Sequence, residues 1–124
     1  MQLLAALSPQ YPSEETVQVM IHYETGDYYK GGLKKGKRHS NGFYYERATQ
    51  MTYNGQFLDD MRHGQGTLCS EREGYSYIYD GFWHQGKRQG VGQEVTSKGK
   101  YNGEWFDDQR HGEGVSVDAN NNMY

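Results

Sequence analysis

Apolar and polar side chains alternate along short stretches of this chain, and glycine-rich turns separate the stretches. The first such stretch, residues 16–23, has an apolar side chain at every second position: Val17, Val19, Ile21 and Tyr23. A period of two is typical of a β-strand with one buried face, and the turn expected at 24–27 leads into a second strand at Tyr28 and Tyr29. Two prolines within the first 13 residues leave room for at most one helical turn, docked on the first strand.

A strand–turn–strand unit then recurs along the chain. Its copies begin at tyrosines spaced 24, 26 and 22 residues apart: Tyr29, Tyr53, Tyr79 and Tyr101. In the last copy, which begins YNGEWFDDQRHGEG, the residues Tyr, Gly and Trp take alternate positions and therefore share one face of a strand. Residues 107–110 are expected to form the hairpin loop, and His111 to begin the return strand. A period near 24 residues predicts an array in which each repeat contacts only its neighbours.

The predicted fold class is all-β: an elongated, twisted, single-layer antiparallel meander of stacked hairpin repeats. Residues 1–14 are interpreted as an N-terminal extension or cap, and residues 15–124 as the repeat array. The array opens with a half repeat over 15–28. A glycine between two aromatic positions lets the rings of neighbouring strands lie over its backbone. The core of such a sheet is a ladder of aromatic rings rather than an interior between two layers.

The composition supports an ordered array without a conventional core. Only 34% of the residues are hydrophobic and the mean hydropathy is −1.07, yet 15% are aromatic, with 12 tyrosines beside 17 glycines. Disordered segments are poor in aromatic residues, so these rings are expected to stack on ordered structure. The net charge of −3 gives no overall attraction to nucleic acid or membranes. A single cysteine and the lack of an apolar run of about 20 residues favour a cytoplasmic location.

The pattern Tyr-x-Gly-x-Trp-x-x-Gly-x-x-His-Gly-x-Gly resembles the MORN (membrane occupation and recognition nexus) repeat family, over roughly residues 15–124. The copy at Tyr101 resembles it most, and departs from it at Asp108, where the family usually has glycine. Asp60 is the same departure in the second copy, and Leu33 stands at the aromatic position of the first. We expect these departures to weaken individual rungs of the ladder.

The resemblance implies an extended platform for proteins or lipids, with any catalysis located elsewhere. Similar proteins include radial-spoke and other ciliary components, junctional proteins that tie membranes together, basal-complex scaffolds of protozoan parasites, and regulatory segments of phosphoinositide kinases and of a histone lysine methyltransferase. It therefore favours a non-enzymatic scaffold in a cytoskeletal or ciliary assembly. The acidic pairs 59–60 and 107–108 are adjacent in sequence and point apart, unlike a catalytic dyad, and we expect no catalytic, cofactor or metal site.

Two surfaces are candidates for binding. A protein partner, as a helix or an extended peptide, is expected on an aromatic face whose rings a single layer buries only in part: Tyr53, Phe57, Tyr79, Trp83, Tyr101 and Trp105. Anionic lipid is the alternative ligand, at a basic run in which each group contributes about 1 kcal/mol near such a membrane: Lys30, Lys34, Lys35, Lys37 and Arg38. The ordinary interpretation of the basic run is a solvated hairpin loop.

Two further features concern the repeat and its end. Histidine recurs at one repeat position, at His39, His63 and His111, where we expect hydrogen bonds to turn backbone rather than a metal site. Tyr124 lies 23 residues after Tyr101, in phase with a fifth repeat. Either the array continues in a longer protein, such as an enzyme that it regulates, or the C-terminal edge of the sheet pairs with a second copy.

Overall fold

The computed structural model describes residues 15–124, and the extension predicted over 1–14 lies outside the described residues. One nine-stranded antiparallel sheet accounts for the described part of the chain, with every strand paired to the next in sequence. The strands are β1 (Val17–His22), β2 (Tyr28–Lys34), β3 (Lys37–Glu46), β4 (Met51–Leu58), β5 (Met61–Arg72), β6 (Tyr75–His84), β7 (Lys87–Thr96), β8 (Gly99–Phe106) and β9 (Gln109–Asp118). The predicted single-layer meander of hairpins is confirmed. None of the described residues forms a helix long and apolar enough to cross a membrane.

Four of the hairpins close through two-residue turns in which both residues have positive φ. In the last of these turns φ is 54° at Asp107 and 68° at Asp108. Positive φ at both central residues defines a type I′ turn, whose twist matches that of the flanking strands. β9 therefore begins at Gln109. The loop predicted over 107–110 is two residues too long, because aspartate tolerates this backbone conformation and allows the tighter turn.

One face of the sheet, called the inner face from here on, carries the buried rings. Buried aromatic side chains recur on it in every repeat: Tyr29, Tyr53, Phe57, Tyr79, Trp83, Tyr101 and Trp105. The Trp83 ring lies edge-on between two tyrosines, with its centroid 5.0 Å from that of Tyr79 and 5.6 Å from that of Tyr53. Phe57 and Trp105 likewise lie edge-on between two tyrosine rings. Each such pair contributes about 0.5–1.5 kcal/mol beyond area burial, so the rings link every repeat to the next.

Paired glycines on neighbouring strands make room for the tyrosine rings. Gly81 pairs with Gly92, and the hydroxyl of Tyr79 donates to the carbonyl oxygen of Phe82 at 2.9 Å. That carbonyl lies at a shift in strand register between Gly81 and Trp83, where an irregular strand leaves an acceptor outside the ladder. Equivalent glycine pairs occur in the other repeats: Gly31–Gly42, Gly55–Gly66 and Gly103–Gly114. The prediction that glycine lets rings lie over the backbone is confirmed.

The C-terminal edge of the sheet is partly covered by the residues that follow β9. Ser116 N donates to Tyr124 O at 3.0 Å, and Tyr124 N donates to Ser116 O at 2.7 Å. Val117 and Met123 form a bridge beside them. Self-association through the remaining edge, residues 109–115, stays a prediction that the mass of the chain in sedimentation equilibrium would decide.

Replacing Gly92 with alanine should lower the free energy of unfolding by about 1–3 kcal/mol, as overpacking does in other cores. A Cβ there would lie 2.2 Å from the hydroxyl oxygen of Tyr79, whose side chain is fully buried. Val91→Ala is the matched control, because Val91 is the preceding residue and 61% exposed; it should change stability by about 0.5 kcal/mol or less. Urea unfolding followed by tryptophan fluorescence measures both. Equal stability of Gly92→Ala and the natural chain would contradict the steric role of this glycine.

Candidate binding surface on the inner face

An arginine covers the aromatic rings of each repeat on the inner face. The four arginines lie nine residues after the repeat tyrosines, at the same spacings of 24, 26 and 22: Arg38, Arg62, Arg88 and Arg110. The guanidinium carbon of Arg62 lies 4.6 Å from the centroid of a Trp83 ring, and that of Arg88 lies 4.5 Å from Trp105. A cation over an aromatic face contributes about 0.5–1 kcal/mol at exposed sites and about 2 kcal/mol when desolvated. The arginines therefore add stability while shielding the rings from solvent.

The six rings predicted as a contact surface form the core, as the predicted aromatic ladder requires. Their exposed fractions lie between 0% and 6%: Tyr53, Phe57, Tyr79, Trp83, Tyr101 and Trp105. The expectation that some of them remain accessible is wrong for the described chain, because the arginine side chains close over them. The sequence contained a signal for this cover, since arginine recurs in phase with tyrosine. Binding through this face would use the side chains that lie over and beside the rings.

Aspartate at the second position of two hairpin turns holds the arginine of the preceding repeat. Asp60 Oδ1 accepts hydrogen bonds from the backbone N of Arg38 at 2.8 Å and from its Nε at 3.1 Å. Asp108 contacts Arg88 in the same way, at 2.9 Å and 3.1 Å. The expectation that these two aspartates weaken their rungs is therefore not met. Aspartate tolerates positive φ as glycine does, and it adds a contact between repeats that glycine lacks.

These contacts lower the pKa of both aspartates. Burial of the Asp108 carboxylate acts to raise its pKa, but the hydrogen bonds from the backbone and guanidinium of Arg88 outweigh burial. The pKa of Asp60 is lowered through the same balance between burial and its bonds to Arg38. Because the folded pKa lies below the unfolded value of about 3.9, each pair stabilises the fold fully above that pH. The contribution is lost as the pH falls through the folded pKa.

A hollow on the inner face, here called the inner groove, has a volume of about 310 Å³. It lies among strands β3, β4 and β5, and its lining combines apolar side chains with two arginines and two carboxylates: Tyr44, Met51, Phe57, Leu68, Arg38, Arg62, Glu46 and Asp60. Tyr44 and Met51 are only partly buried. Because Asp60 pairs with Arg38 and Glu46 accepts a hydrogen bond from Thr49, the groove can offer apolar surface and, at Arg62, a positive charge to a bound group.

The basic run is divided by its position in the first hairpin. Lys34 and Lys37 pair across the turn between β2 and β3, and Lys35 lies within that turn. Lys30 is exposed in the middle of β2. Arg38 belongs to the row of arginines over the rings and is bonded within the chain, as described above. Lys34, Lys35 and Lys37 are thus the members of the run that lie together at the tip of the first hairpin.

Two of the three recurring histidines, His63 and His111, lie beside another side-chain ring. The ring centroids of His63 and His84 are 5.2 Å apart, and those of His111 and Phe106 are 5.6 Å apart. Hydrogen bonds from these imidazoles to turn backbone, which the repeat position led us to expect, do not occur among residues 15–124. For His63 and His111, a tilted contact with a neighbouring ring is found instead.

Replacing Asp108 with asparagine should lower the free energy of unfolding at pH 7 by about 0.5–1 kcal/mol, the range of partly exposed ion pairs. Asparagine keeps the turn conformation and one acceptor, so the variant removes the charge alone. The difference from the natural chain should be constant well above the unfolded pKa of about 3.9 and should disappear as the pH falls through the lowered folded pKa, where the aspartate itself becomes protonated. Urea unfolding across this range measures it. A difference that persists at low pH would show that the ion pair is not its cause.

Comparison with known proteins agrees with this architecture. The family model of the MORN repeat matches four segments, residues 29–45, 53–71, 79–100 and 101–123, which together cover more than half of the 124 residues. A comparison with curated proteins found no significant match. Repeats of this family are generally non-catalytic modules for interaction with proteins or membranes. The chain belongs to the MORN repeat family.

Proposed function

We propose that this protein is a non-enzymatic scaffold that binds another protein through the inner face of its sheet, within a cytoskeletal or ciliary assembly. The observation that carries the proposal is the inner groove, a hollow of about 310 Å³ beside partly buried Tyr44 and Met51. Membership of the MORN repeat family supports an interaction module. The resemblance to radial-spoke and basal-complex scaffolds supports the cytoskeletal or ciliary setting.

The dimensions of the sheet suit a helix or an extended peptide as the bound element. Nine strands with eight intervals of about 4.8 Å give the inner face a length of roughly 40 Å. An amphipathic segment laid on such a face would contact several repeats with side chains at regular spacing. Since the rings themselves are buried, the contacts would be made by Tyr44, Met51 and the arginine heads.

Met51→Asp tests this proposal, because a carboxylate on the wall of the groove would oppose an apolar contact there. The tagged natural chain should remain with the detergent-insoluble cytoskeleton of its own cells and retain a protein partner. Met51→Asp should lower both the amount of chain retained with the cytoskeleton and the amount of partner bound to it, by about tenfold or more, as removal of a central contact does. Circular dichroism would establish that the variant is folded.

Ile78→Asp is the control for that experiment. Ile78 is 37% exposed on the opposite face, and it receives the same substitution in a strand. The Ile78→Asp variant should bind the partner and remain with the cytoskeleton to the same extent as the natural chain. Equal retention of Met51→Asp and the natural chain would contradict binding through the inner groove, and loss with Ile78→Asp alone would point to the opposite face.

The hairpin between β2 and β3 favours a second function, binding to anionic membranes, because it places Lys34, Lys35 and Lys37 at one tip. The chain should then float with anionic vesicles and not with neutral ones, and binding should weaken as salt rises. Changing all three lysines to glutamate should abolish flotation, since each contributes about 1 kcal/mol. Changing Lys98, Lys100 and Lys87 to glutamate makes an equal change in charge elsewhere and is the control. Equal flotation of both variants would contradict a role for this hairpin.

A further inference from the structure

The arginines of the inner face do not have equal partners. Arg88 is held by carboxylates from two positions of the repeat. One is Asp108, the second residue of the next hairpin turn, and the other is Glu94, six residues after the arginine in its own strand. Arg38 has an aspartate at the first of these positions, and Arg110 is paired with Glu94 at 2.7 Å. Each of these three arginines therefore has a counter-charge within the chain.

Arg62 has no such counter-charge. The two positions that supply carboxylates to Arg88 are occupied in its repeat by Gly86 and Leu68. Its Nη2 donates to the carbonyl oxygen of Gly86 at 3.2 Å, and no ion pair joins it to a carboxylate among residues 15–124. Burial lowers the pKa of Arg62, whereas the charged neighbours of Arg88 outweigh burial there and raise its pKa. A guanidinium stays charged at neutral pH, so Arg62 is desolvated without a contacting anion.

Two carboxylates whose negative charge favours the charged form of Arg62 have other partners. Asp108 and Glu46 both act on it through space, in the direction that favours its charge. Asp108 is bonded to Arg88, and Glu46 accepts a hydrogen bond from the hydroxyl of Thr49. Neither forms an ion pair with Arg62 in the described chain. The place beside Arg62 that an aspartate fills in the next repeat is therefore open to a carboxylate from outside.

We propose that the inner groove binds an acidic side chain of the protein partner, whose carboxylate pairs with Arg62 between Met51 and Leu68. The inference rests on the proposed function and names the chemistry of its ligand. The chain itself supplies the template, because Asp108 shows how a carboxylate seats against the same arginine one repeat later. Met51 and Leu68 favour apolar residues beside the acid, and Glu46, which also lines the groove, keeps its hydrogen bond from Thr49. A volume of about 310 Å³ is at the lower end for ligand sites and suits one side chain.

Gly86→Asp is the variant that tests this site without removing a core side chain. Gly86 N donates to Arg62 O at 2.9 Å, as Asp108 N donates to Arg88 O at 3.1 Å, so the two turns present the same geometry. A Cβ at Gly86 would meet no atom within 4 Å, and its φ of 84° is close to the values at which this chain already carries aspartate. The new carboxylate should occupy Arg62 and compete with that of a ligand.

Gly36→Asp is the matched control. Gly36 is the second residue of the first hairpin turn, with φ of 79° and no atom within 4 Å of a built Cβ. The substitution therefore changes the same residue type, turn position and net charge, at a turn that does not border the inner groove. Circular dichroism and urea unfolding would establish that both variants are folded.

The probe is a displayed library of random 12-residue peptides, panned against the natural chain. Peptides retained on the natural chain and lost on Met51→Asp should carry an aspartate or glutamate flanked by apolar residues. Changing that acid to its amide should weaken binding about tenfold or more, as loss of a charge-assisted hydrogen bond does. Gly86→Asp should weaken the acidic peptide to a similar degree, leave the amide peptide nearly unchanged, and shift the Arg62 Nε–H resonance. Gly36→Asp should do none of these.

The contrary outcomes separate the two proposals. If peptides bind the inner groove but neither the acid-to-amide change nor Gly86→Asp alters their affinity, the acidic site is wrong and the scaffold proposal stands. If every retained peptide binds Met51→Asp and the natural chain with equal affinity, binding lies elsewhere. Both the acidic site and binding through the inner groove are then overturned. If Gly36→Asp weakens binding as much as Gly86→Asp, the effect is one of net charge and the acidic site is overturned.

Discussion

The structure depends on laying a tyrosine ring flat across a pair of glycines. A single-layer sheet has no second layer to cover its apolar face, so it must bury aromatic surface against its own backbone. The ring of Tyr79 does this over Gly81 and Gly92, and its hydroxyl bonds the carbonyl that the register shift frees. A tryptophan from the next repeat then closes the ring from the side. The burial, the irregular strand and the order of the repeats all follow from this arrangement.

The arginines determine which side chains of the inner face are accessible to solvent. Their guanidinium groups lie over the faces of the rings. With them the rings are core, and the face presents guanidinium groups, three of the four paired with carboxylates, beside partly buried apolar side chains. The same arginines also join neighbouring repeats, because Asp60 and Asp108 reach back from the following turn to hold them. Coupling between neighbours is what gives stability to an array in which distant repeats never touch.

The proposed acidic site depends on differences between the repeats. Each unit needs a tyrosine, a glycine pair and a two-residue turn. At the turn and at other strand positions, more than one residue type is compatible with the fold. Gly86 and Asp108 both satisfy the turn, yet only one of them supplies an anion to the arginine below. Leu68 and Glu94 both fit their strand, yet only Glu94 supplies a carboxylate to an arginine. The proposed site therefore differs from its neighbours at positions where the fold accepts more than one residue type.

The sequence by itself determined the strands, their order and the buried face, because period-two alternation and the spacing of tyrosine and glycine report local geometry. It also placed the turns, with an error of two residues at 107–110 that arose from not recognising a type I′ aspartate pair. Only the tertiary structure decided that Arg38, Arg62, Arg88 and Arg110 cover the rings, and that Arg62 alone among them has no contacting carboxylate within residues 15–124. Those facts depend on contacts between residues some 20 apart in sequence, and the spacing of a motif does not show which side chain lies over which.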